Sequence, residues 1–188
     1  MDNKNIKVEF INDINLIEKK QWDLCACPET LEGKKIIDPF TTYNFISALE
    51  NSGSVGKDTG WHSCHVVVKI EKEIIAVMPL YLKGHSQGEY IFDHNWAQAY
   101  HNFGGSYYPK IQSAVPFTPV AGRRFLTKKG FEKQGRDALE RGIINLALNN
   151  KISSAHITFC TSNEAMKLSD NNFLKRKTLQ YHWENKGF

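Results

Sequence analysis

The segment from Tyr81 to Phe125 reads YLKGHSQGEYIFDHNWAQAYHNFGGSYYPKIQSAVPFTPVAGRRF and guides the assignment of the fold. Its 45 residues contain ten of the 22 aromatic residues of the chain and three of its six prolines. A core-forming segment would be richer in aliphatic residues, and an ordinary surface loop would be richer in charged residues. This composition predicts a shaped pocket that has polar groups inside it.

The composition of the whole chain is typical of one globular α/β domain. The chain has 188 residues, of which 41% are hydrophobic and 23% are charged, so residues 1–188 are expected to form a single domain. No run of about 18 apolar residues occurs, so no membrane span is predicted. The polar N-terminus MDNKNIKVEF does not resemble a secretory signal, which makes the cytoplasm the expected location.

The four cysteines do not form a recognised metal motif. The Cys25 and Cys27 pair, together with the cluster His62, Cys64 and His65, has the spacings C-x-C and H-x-C-H. Structural zinc sites use other spacings, typically with two to four residues between paired cysteines. We therefore expect no metal site, and we expect buried or incidental reduced thiols.

The formal net charge of +4 is too small to predict nucleic-acid binding, but the basic residues are unevenly distributed. A basic run lies just before and inside a predicted helix, and it contains Arg123, Arg124, Lys128, Lys129, Lys133 and Arg136, with Glu132 as its one acid. The run has two interpretations, a solvated surface or an anion site for a phosphate-bearing cofactor or substrate. RNA binding is a weaker interpretation, because the aromatic residues are not interleaved with these lysines.

Hydrophobic periodicity predicts a mixed α/β architecture. Strands are predicted at residues 6–11, 62–70, 73–82, 111–117, 155–160 and 173–183. Helices are predicted at residues 13–23, 43–50, 95–103, 131–150 and 161–168. The second and third strands form a hairpin that turns at Glu71 and Lys72, and Pro79 requires a bulge or an edge nearby. This order predicts a mixed, mostly antiparallel sheet with helices on both faces.

The element order resembles the GNAT acyltransferase fold, and three motifs resemble a narrower group. The motifs are YLKGHSQGEYIFDHNWAQAY (81–100), GSYYPK (105–110) and AVPFTPVAGRR (114–124). Together with ALENSGS (48–54), SSAHITF (153–159) and QYHWENKGF (180–188), they are similar to the FemAB-like, peptidoglycan biosynthesis/recognition group of GNAT-type proteins. Members of that group resemble longer tandem proteins, so the resemblance implies that this chain corresponds to an N-terminal half with a second GNAT-like half as partner.

The resemblance implies acyl transfer to an amine, which needs a base, donors for the carbonyl oxygen and a site for the donor. His85, Glu89, Asp93 and His101 are the candidates for acid and base, and the first three are our catalytic candidates. Glu89 and Asp93 could equally cap the short helix, and His85 could be a structural hydrogen-bonding residue.

Aromatic and basic side chains of the same segment are candidates for the pocket. The substrate-binding candidates are Trp96, Tyr100, Tyr107, Tyr108 and Lys110. Their aromatic rings would equally suit a core, although a polar tip on an aromatic ring suits a wall that orients a substrate.

The turn before the long helix is the candidate cofactor site. Relatives that use acyl-CoA carry a turn rich in glycine and arginine there, and this chain has Val120, Gly122, Arg123 and Arg124 at the equivalent position. One glycine replaces two or three, which departs from that pattern. We therefore expect no tightly bound cofactor, with acyl-CoA as one co-substrate and aminoacyl-tRNA as the other donor that the resemblance implies.

The sequence thus predicts an acyl- or aminoacyltransferase that acts on an amine, with a small molecule or a peptidoglycan precursor as acceptor. The acceptor class is implied by the resemblance alone. The alternative is a non-catalytic recognition module of the same fold, which binds an anionic or peptide ligand. The incomplete glycine pattern at Gly122 favours this alternative.

Overall fold

The computed structural model describes residues 5–91 and 93–187, so Phe92 and Phe188 of the motifs above lie outside the described residues. The strands are β1 (Ile6–Ile11), β2 (Trp61–Ser63), β3 (His65–Ile70), β4 (Glu73–Met78), β5 (Tyr81–Lys83), β6 (Lys110–Ser113), β7 (Leu126–Thr127) and β8 (Ala155–Ile157). The helices are α1 (Lys19–Ala26), α2 (Tyr43–Asn51), α3 (His94–Asn102), α4 (Glu132–Asn149) and α5 (Ser162–Asp170), with short 3₁₀ turns at Ile14–Leu16, Pro28–Glu32 and Pro39–Thr41.

The strands form two four-stranded sheets. The first, sheet A, has the order β1-β3-β4-β7 and is antiparallel throughout. The second, sheet B, has the order β2-β5-β6-β8, and its β6 and β8 strands run parallel while the other pairs are antiparallel. A parallel pairing of β6 and β8 requires a long crossover connection. Here the crossover runs through β7 and α4. The mixed, mostly antiparallel architecture agrees with the sequence-based prediction.

The predicted hairpin passes through both sheets. Its first half is β2 and β3, which are interrupted at Cys64, and its second half is β4 and β5, which are interrupted at Pro79 and Leu80. The Cys64 amide donates to the Leu80 carbonyl at 2.8 Å, so the two interruptions face each other. Pro79 therefore lies where the strand leaves sheet A and enters sheet B, a position at which no ladder hydrogen bond from residue 79 is needed.

Helices cover both faces of sheet A. Side chains of α1 and α2 pack with Val67 and Val77 on one face, and α4 packs with Val66 and Val68 on the other. The α4 helix approaches closely because it presents glycine at the contact: a Cβ at Gly142 would lie 2.9 Å from Val8 Cγ1. Sheet A thus contains most of the apolar core.

Two predicted elements differ from the structure. The helix predicted over residues 13–23 is a 3₁₀ turn followed by α1, because Ile17 adopts an extended conformation; Asp13 caps the 3₁₀ turn. The strand predicted over residues 111–117 ends at Ser113, and a loop follows it as far as β7. Pro116 and Pro119 lie in that loop and cannot donate to a ladder.

The strand predicted over residues 173–183 is wrong. The chain after α5 has no regular secondary structure up to residue 187, and within the described residues it pairs with no strand. Alternating apolar side chains cause this error, because alternation is typical of a strand only when a partner ladder covers one face. Here Leu174, Leu179 and Tyr181 remain exposed. We call residues 171–187 the C-terminal segment.

Candidate functional site

A buried lysine organises the polar side chains of sheet B. Lys110 Nζ donates to Ser86 Oγ at 2.9 Å, to Glu89 Oε2 at 2.8 Å and to Asp93 Oδ2 at 2.6 Å. The side chains of Lys110, Glu89 and Asp93 are 0–1% exposed. All three ammonium protons are therefore used, and charged groups this deeply buried persist only when they are paired. We call these four residues and Lys83 the Lys110 cluster.

Strand register explains why two lysines meet here. Lys83 ends β5 and Lys110 begins β6, and the two are direct cross-strand partners. Like charges in this arrangement repel, so carboxylates are needed nearby, and the loop between β5 and α3 supplies them. The Lys83 ammonium lies 3.7 Å from the centre of the Trp61 ring and donates to the Gln87 carbonyl at 3.2 Å.

Burial shifts the pKa of Glu89 and that of Lys83 towards their neutral forms. Removal from water raises the pKa of Glu89, although Lys110 and Lys83 oppose that shift. Burial lowers the pKa of Lys83 to about 8, and the positive charge of Lys110 adds to this effect. Groups with shifts of this kind are typical of sites that transfer protons.

Asp93 is held ionised instead. Burial alone would raise its pKa, but hydrogen bonds from Lys110, Ser86 and Tyr107 outweigh it and lower the pKa to about 2. Asp93 occupies the N-cap position of α3, yet its side chain makes no capping hydrogen bond and turns towards Lys110 and Tyr107. The capping role considered from the sequence is therefore not the one that Asp93 has.

Two carboxylate oxygens of the cluster lack a hydrogen-bond partner among the described residues. They are Glu89 Oε1 and Asp93 Oδ1, and both are buried. A buried oxygen without a donor costs roughly 1–3 kcal/mol, so such atoms often mark places where a ligand or water binds.

Two tyrosines connect this cluster to the surface. The Tyr107 hydroxyl donates to Asp93 Oδ2 at 2.8 Å, and the Tyr108 hydroxyl lies 2.8 Å from Ser86 Oγ. Both tyrosines line an open cavity of about 750 Å³. Its other lining residues come from α3 and the turn after it: His94, Ala97, Gln98, His101, Gly104, Gly105 and Ser106. The cavity wall thus includes the outer members of the hydrogen-bond network around Lys110.

A histidine that the sequence analysis missed extends the network. His156 on β8 accepts or donates at 2.8 Å with Ser154 Oγ and lies 3.5 Å from the Tyr107 hydroxyl. Burial and the charge of Lys110 lower the pKa of His156 to about 4, so the ring is neutral at pH 7. The available sequence signal was its position inside the strand predicted over residues 155–160. The structure places it opposite Gln112 of β6.

Five of the predicted site residues therefore come together: Glu89, Asp93, Tyr107, Tyr108 and Lys110. Trp96 and Tyr100 lie on α3 and are exposed. Tyr100 packs edge-on against Tyr107, with their ring centres 6.1 Å apart, whereas Trp96 stacks with Arg176.

His85 lies apart from this network. Its ring packs over Gly60, where an added Cβ would lie 2.1 Å from His85 Nε2. Its Nδ1 accepts a hydrogen bond from the Gln87 amide at 3.2 Å. These contacts are those of a residue that shapes the loop leading to Glu89.

The candidate cofactor turn is folded against the protein itself. The Arg124 guanidinium is buried and donates to the carbonyls of Thr158, Val120 and Arg123. Gly122 bridges to Cys160, and its amide donates to the Phe159 carbonyl at 2.9 Å. The structure thus places Val120, Gly122 and Arg124 together, with the donors of Arg124 directed at main-chain oxygens.

Acidic side chains pair with most of the basic run. Four ion pairs are present, namely Arg123–Glu29, Lys128–Glu73, Lys129–Glu32 and Lys133–Asp137. Arg136 lies over the Phe125 ring at 5.1 Å. The structure therefore agrees better with the surface interpretation of this run than with an anion site.

The first residue of α4, Glu132, binds an amide that lies just before the helix. The Glu132 carboxylate accepts a hydrogen bond from the Gly130 amide at 3.0 Å, and this contact lowers its pKa. Free amides at a helix N-terminus favour anions, and the carboxylate of Glu132 places a negative charge in the first turn of α4.

Residues 5–91 and 93–187 contain neither a metal-binding cluster nor a membrane-spanning helix. No group of three or more His, Cys, Asp or Glu side chains is arranged to hold a metal ion. Burial raises the pKa of Cys25 to about 12 and that of Cys27 to about 11. In this described part of the chain, no helix is both long and apolar enough to span a bilayer.

A match to a protein-family model covers most of the chain. The FemAB-like family model, described as peptidoglycan biosynthesis/recognition, matches residues 13–188. No curated protein matches the chain.

Solved structures of acetyltransferases resemble the fold. A possible acetyltransferase from Clostridium difficile 630 aligns with a TM-score of 0.51 and 13% identity, over 96% of this chain and 97% of that one. An aminoglycoside acetyltransferase from an uncultured soil metagenomic sample, in complex with trehalose, aligns with a TM-score of 0.52 and 9% identity, over 98% of this chain and 99% of that one. At these identities the likeness shows the fold alone, which is GNAT-like.

Proposed function

Because this chain belongs to the FemAB-like family of peptidoglycan biosynthesis/recognition proteins, we propose that it transfers an acyl or aminoacyl group to an amine. The observation that carries this proposal is the Lys110 cluster beside the cavity. Burial raises the pKa of Glu89, and a carboxylate with a raised pKa accepts a proton more readily than an ordinary one.

In the proposed reaction the acceptor amine attacks the ester or thioester carbonyl of the donor directly. The bond between the carbonyl carbon and the amine nitrogen forms, and the bond from that carbon to the leaving oxygen or sulfur breaks. No covalent enzyme intermediate is needed. The amine must lose a proton as it attacks, so a route from the cavity to a base is required.

Hydrogen bonds already connect the cavity to Glu89. The route runs from the Tyr108 hydroxyl to Ser86 Oγ, from there to Lys110 Nζ and finally to Glu89 Oε2, with heavy-atom distances of 2.8, 2.9 and 2.8 Å. Lys110 first gives one ammonium proton to Glu89 Oε2, because an ammonium nitrogen has no lone pair with which to accept a proton. Rotation about the Cε–Nζ bond then turns the freed lone pair towards Ser86 and it accepts the Ser86 hydroxyl proton, while Ser86 takes the proton of Tyr108 and Tyr108 takes the proton of the amine. The reverse transfer supplies a proton to the leaving group.

Asp93 and Tyr107 position this route. Asp93 stays ionised and binds both Lys110 and the Tyr107 hydroxyl, which fixes the ammonium group between two carboxylates. A side chain locked by several hydrogen bonds holds its geometry through the reaction. We therefore assign Asp93 an orienting role, and Glu89 the role of proton acceptor.

The geometry around α4 favours aminoacyl-tRNA over acyl-CoA as donor in this proposal. The Glu132 carboxylate lies in the first turn of α4 and binds the Gly130 amide, and the guanidinium of Arg124 donates to main-chain carbonyls. A pyrophosphate at that place would lie beside a carboxylate of like charge and would find the donors of Arg124 already used. The acceptor we propose is a peptidoglycan precursor with a free amine, which rests on the family description.

A recognition module is the second candidate function, and the same observations favour it. If no donor binds near α4, the cavity of about 750 Å³ could still hold a peptidoglycan fragment without chemistry. The two functions differ in one measurable respect, because only a transferase adds mass to the acceptor.

Mass spectrometry of the acceptor tests the proposal. The protein is incubated with a precursor peptide that carries a free side-chain amine, and with either acetyl-CoA or an aminoacyl-tRNA. We expect acylation of the amine with one of the donors, and a rate lower by about 10²- to 10⁴-fold in Glu89→Gln. Glu73→Gln is the matched control, since Glu73 pairs with Lys128 on the surface.

Two results would count against transferase function. If the peptide binds but gains no mass with either donor, the recognition module is the better account. If transfer occurs equally well in Glu89→Gln, the protein is a transferase, but the base lies elsewhere.

A further inference from the structure

The helix α3 and its C-cap residue Phe103 carry a largely exposed aromatic stripe. Trp96, Tyr100 and Phe103 follow one another at spacings of four and three residues, so they share one side of the helix. Their side chains are 57%, 45% and 93% exposed. No residue of α3 is buried, so this helix does not direct its apolar side towards the core as surface helices usually do.

The opposite side of α3 lines the cavity. His94, Ala97, Gln98 and His101 contribute to its wall, and at 100° per residue they point away from the aromatic stripe. The helix therefore separates the cavity from whatever covers the stripe. A surface docked on the stripe would lie roughly 10 Å, about one helix diameter, from the cavity wall.

The C-terminal segment brings one basic residue, Arg176, onto the stripe. The Arg176 guanidinium stacks on the Trp96 ring at 3.9 Å, and Gln180 Nε2 donates to the Pro119 carbonyl at 2.7 Å. Arg176 is flanked by Lys175 and Lys177, which are exposed. The segment contains four basic residues and one acid, Glu184, whereas α3 contains no Asp, Glu, Lys or Arg.

We propose that the docking face, made of Trp96, Tyr100, Phe103 and Lys175–Lys177, binds a membrane surface rich in anionic phospholipid. Aromatic rings combined with lysine and arginine are typical of the interface between water and lipid. The charge of the face is complementary to phosphatidylglycerol headgroups, and basic residues near such a surface each strengthen binding. An exposed stripe of aromatic residues is also costly to leave in water, which favours an occupant.

This inference does not depend on acyl transfer. Binding to vesicles measures the docking face alone, whereas mass gain of the acceptor measures the cavity and the Lys110 cluster. Failure of one experiment therefore leaves the other result intact.

Vesicle co-sedimentation tests the proposal with the full chain. We expect binding to vesicles of phosphatidylglycerol and phosphatidylcholine, and much weaker binding to phosphatidylcholine alone. Raising the salt concentration from 0.1 M to 1 M should weaken binding, because the screening length falls from about 10 Å to about 3 Å.

Two variants and two controls locate the binding face. The double variant Lys175→Gln/Lys177→Gln should bind anionic vesicles at least about tenfold more weakly. The affinity of Phe103→Ser for these vesicles should be lower by about tenfold. Lys34→Gln/Lys35→Gln and Leu148→Ser are the controls, since these side chains are exposed outside the docking face. The controls should bind as the wild type does.

Three outcomes would overturn the proposal. The first is no binding to anionic vesicles at 0.1 M salt. The second is that the variants and the controls lose the same amount of vesicle affinity. The third is self-association in light scattering that Phe103→Ser abolishes while vesicle binding is absent, which would show that a second copy of the chain covers the stripe.

Discussion

Sheet A and sheet B differ in what they bury. The strands of sheet A direct valine, isoleucine and leucine into two apolar clusters, one with α1 and α2 and one with α4. The strands of sheet B are three or four residues long and bury Lys83, Lys110, Gln112 and Ser113. The two sheets share one hairpin, but sheet A forms most of the apolar core, whereas sheet B contains the buried polar residues of the candidate site.

This contrast separates stability from chemistry. An apolar cluster gains free energy from each side chain it removes from water, whereas buried charges gain little net stability even when well paired. Retaining charges in sheet B therefore makes sense if they have a chemical task. The contrast also predicts that substitutions in the two sheets will have different consequences.

Removal of the central ammonium should have the largest effect. Lys110→Met leaves Glu89 and Asp93 buried without their cation, so we expect a loss of about 3–5 kcal/mol in the free energy of unfolding. Urea denaturation at pH 7 measures it. The triple variant Lys110→Met/Glu89→Gln/Asp93→Asn should recover part of the loss, and failure to do so would show that the cost is not electrostatic.

Truncation in sheet A should destabilise without altering the site. Ile75 is fully buried against α4, so Ile75→Ala should cost about 3 kcal/mol through lost burial and the cavity that remains. Under conditions where the variant is folded, its acyl transfer rate should equal that of the wild type. Leu148→Ala, an exposed position on the same α4 helix, is the control.

Acid should destabilise sheet B through His156. The folded state lowers the pKa of His156 from 6.5 to about 4, so the unfolded chain binds more protons between these values and stability falls as the pH drops from 6.5 to 4. The expected loss is roughly 2–3 kcal/mol. The free energy of unfolding, measured by denaturation at several pH values across this range, should depend less on pH in His156→Gln. It should keep its pH dependence in His94→Gln, because His94 lies on the exposed surface of α3.

Asp93 extends this acid sensitivity to lower pH. The folded-state pKa of Asp93 is about 2, against 3.8 for an ordinary aspartate. Its contribution to the free energy of unfolding is therefore present above pH 3.8 and is lost as the pH falls towards 2. A profile that declines only below pH 4 would show that His156 is not the neutral, buried group described here.

The cross-strand partner of Lys110 should be the more tolerant lysine. Lys83 binds one carbonyl and one ring face, so Lys83→Met removes a buried charge and leaves no carboxylate alone. We expect the free energy of unfolding to change by no more than about 1 kcal/mol at pH 7. Because burial lowers the pKa of Lys83 to about 8, the wild type should gain stability relative to the variant as the pH rises from 8 to 10.5.

Periodicity predicted most elements, but long-range partners decided the rest. The long helix, the hairpin and the capped α5 were predicted because their signals are local, such as the Thr161 and Glu164 capping box. The strand over residues 173–183 was wrong because alternation cannot reveal whether a partner exists. The sequence could bring Glu89, Asp93 and Lys110 into one candidate site because they lie in one segment, whereas His156 joins them only through the parallel pairing of β8.

The most direct test of this division compares Glu89→Gln with Ile75→Val. We expect Glu89→Gln to lower the acyl transfer rate about a hundredfold or more. We expect it to keep or raise the free energy of unfolding, because burial already disfavours the charged form of Glu89. Ile75→Val should lose about 1 kcal/mol of stability at an unchanged rate. The opposite result, a destabilised but fully active Glu89→Gln, would contradict the assignment of chemistry to sheet B.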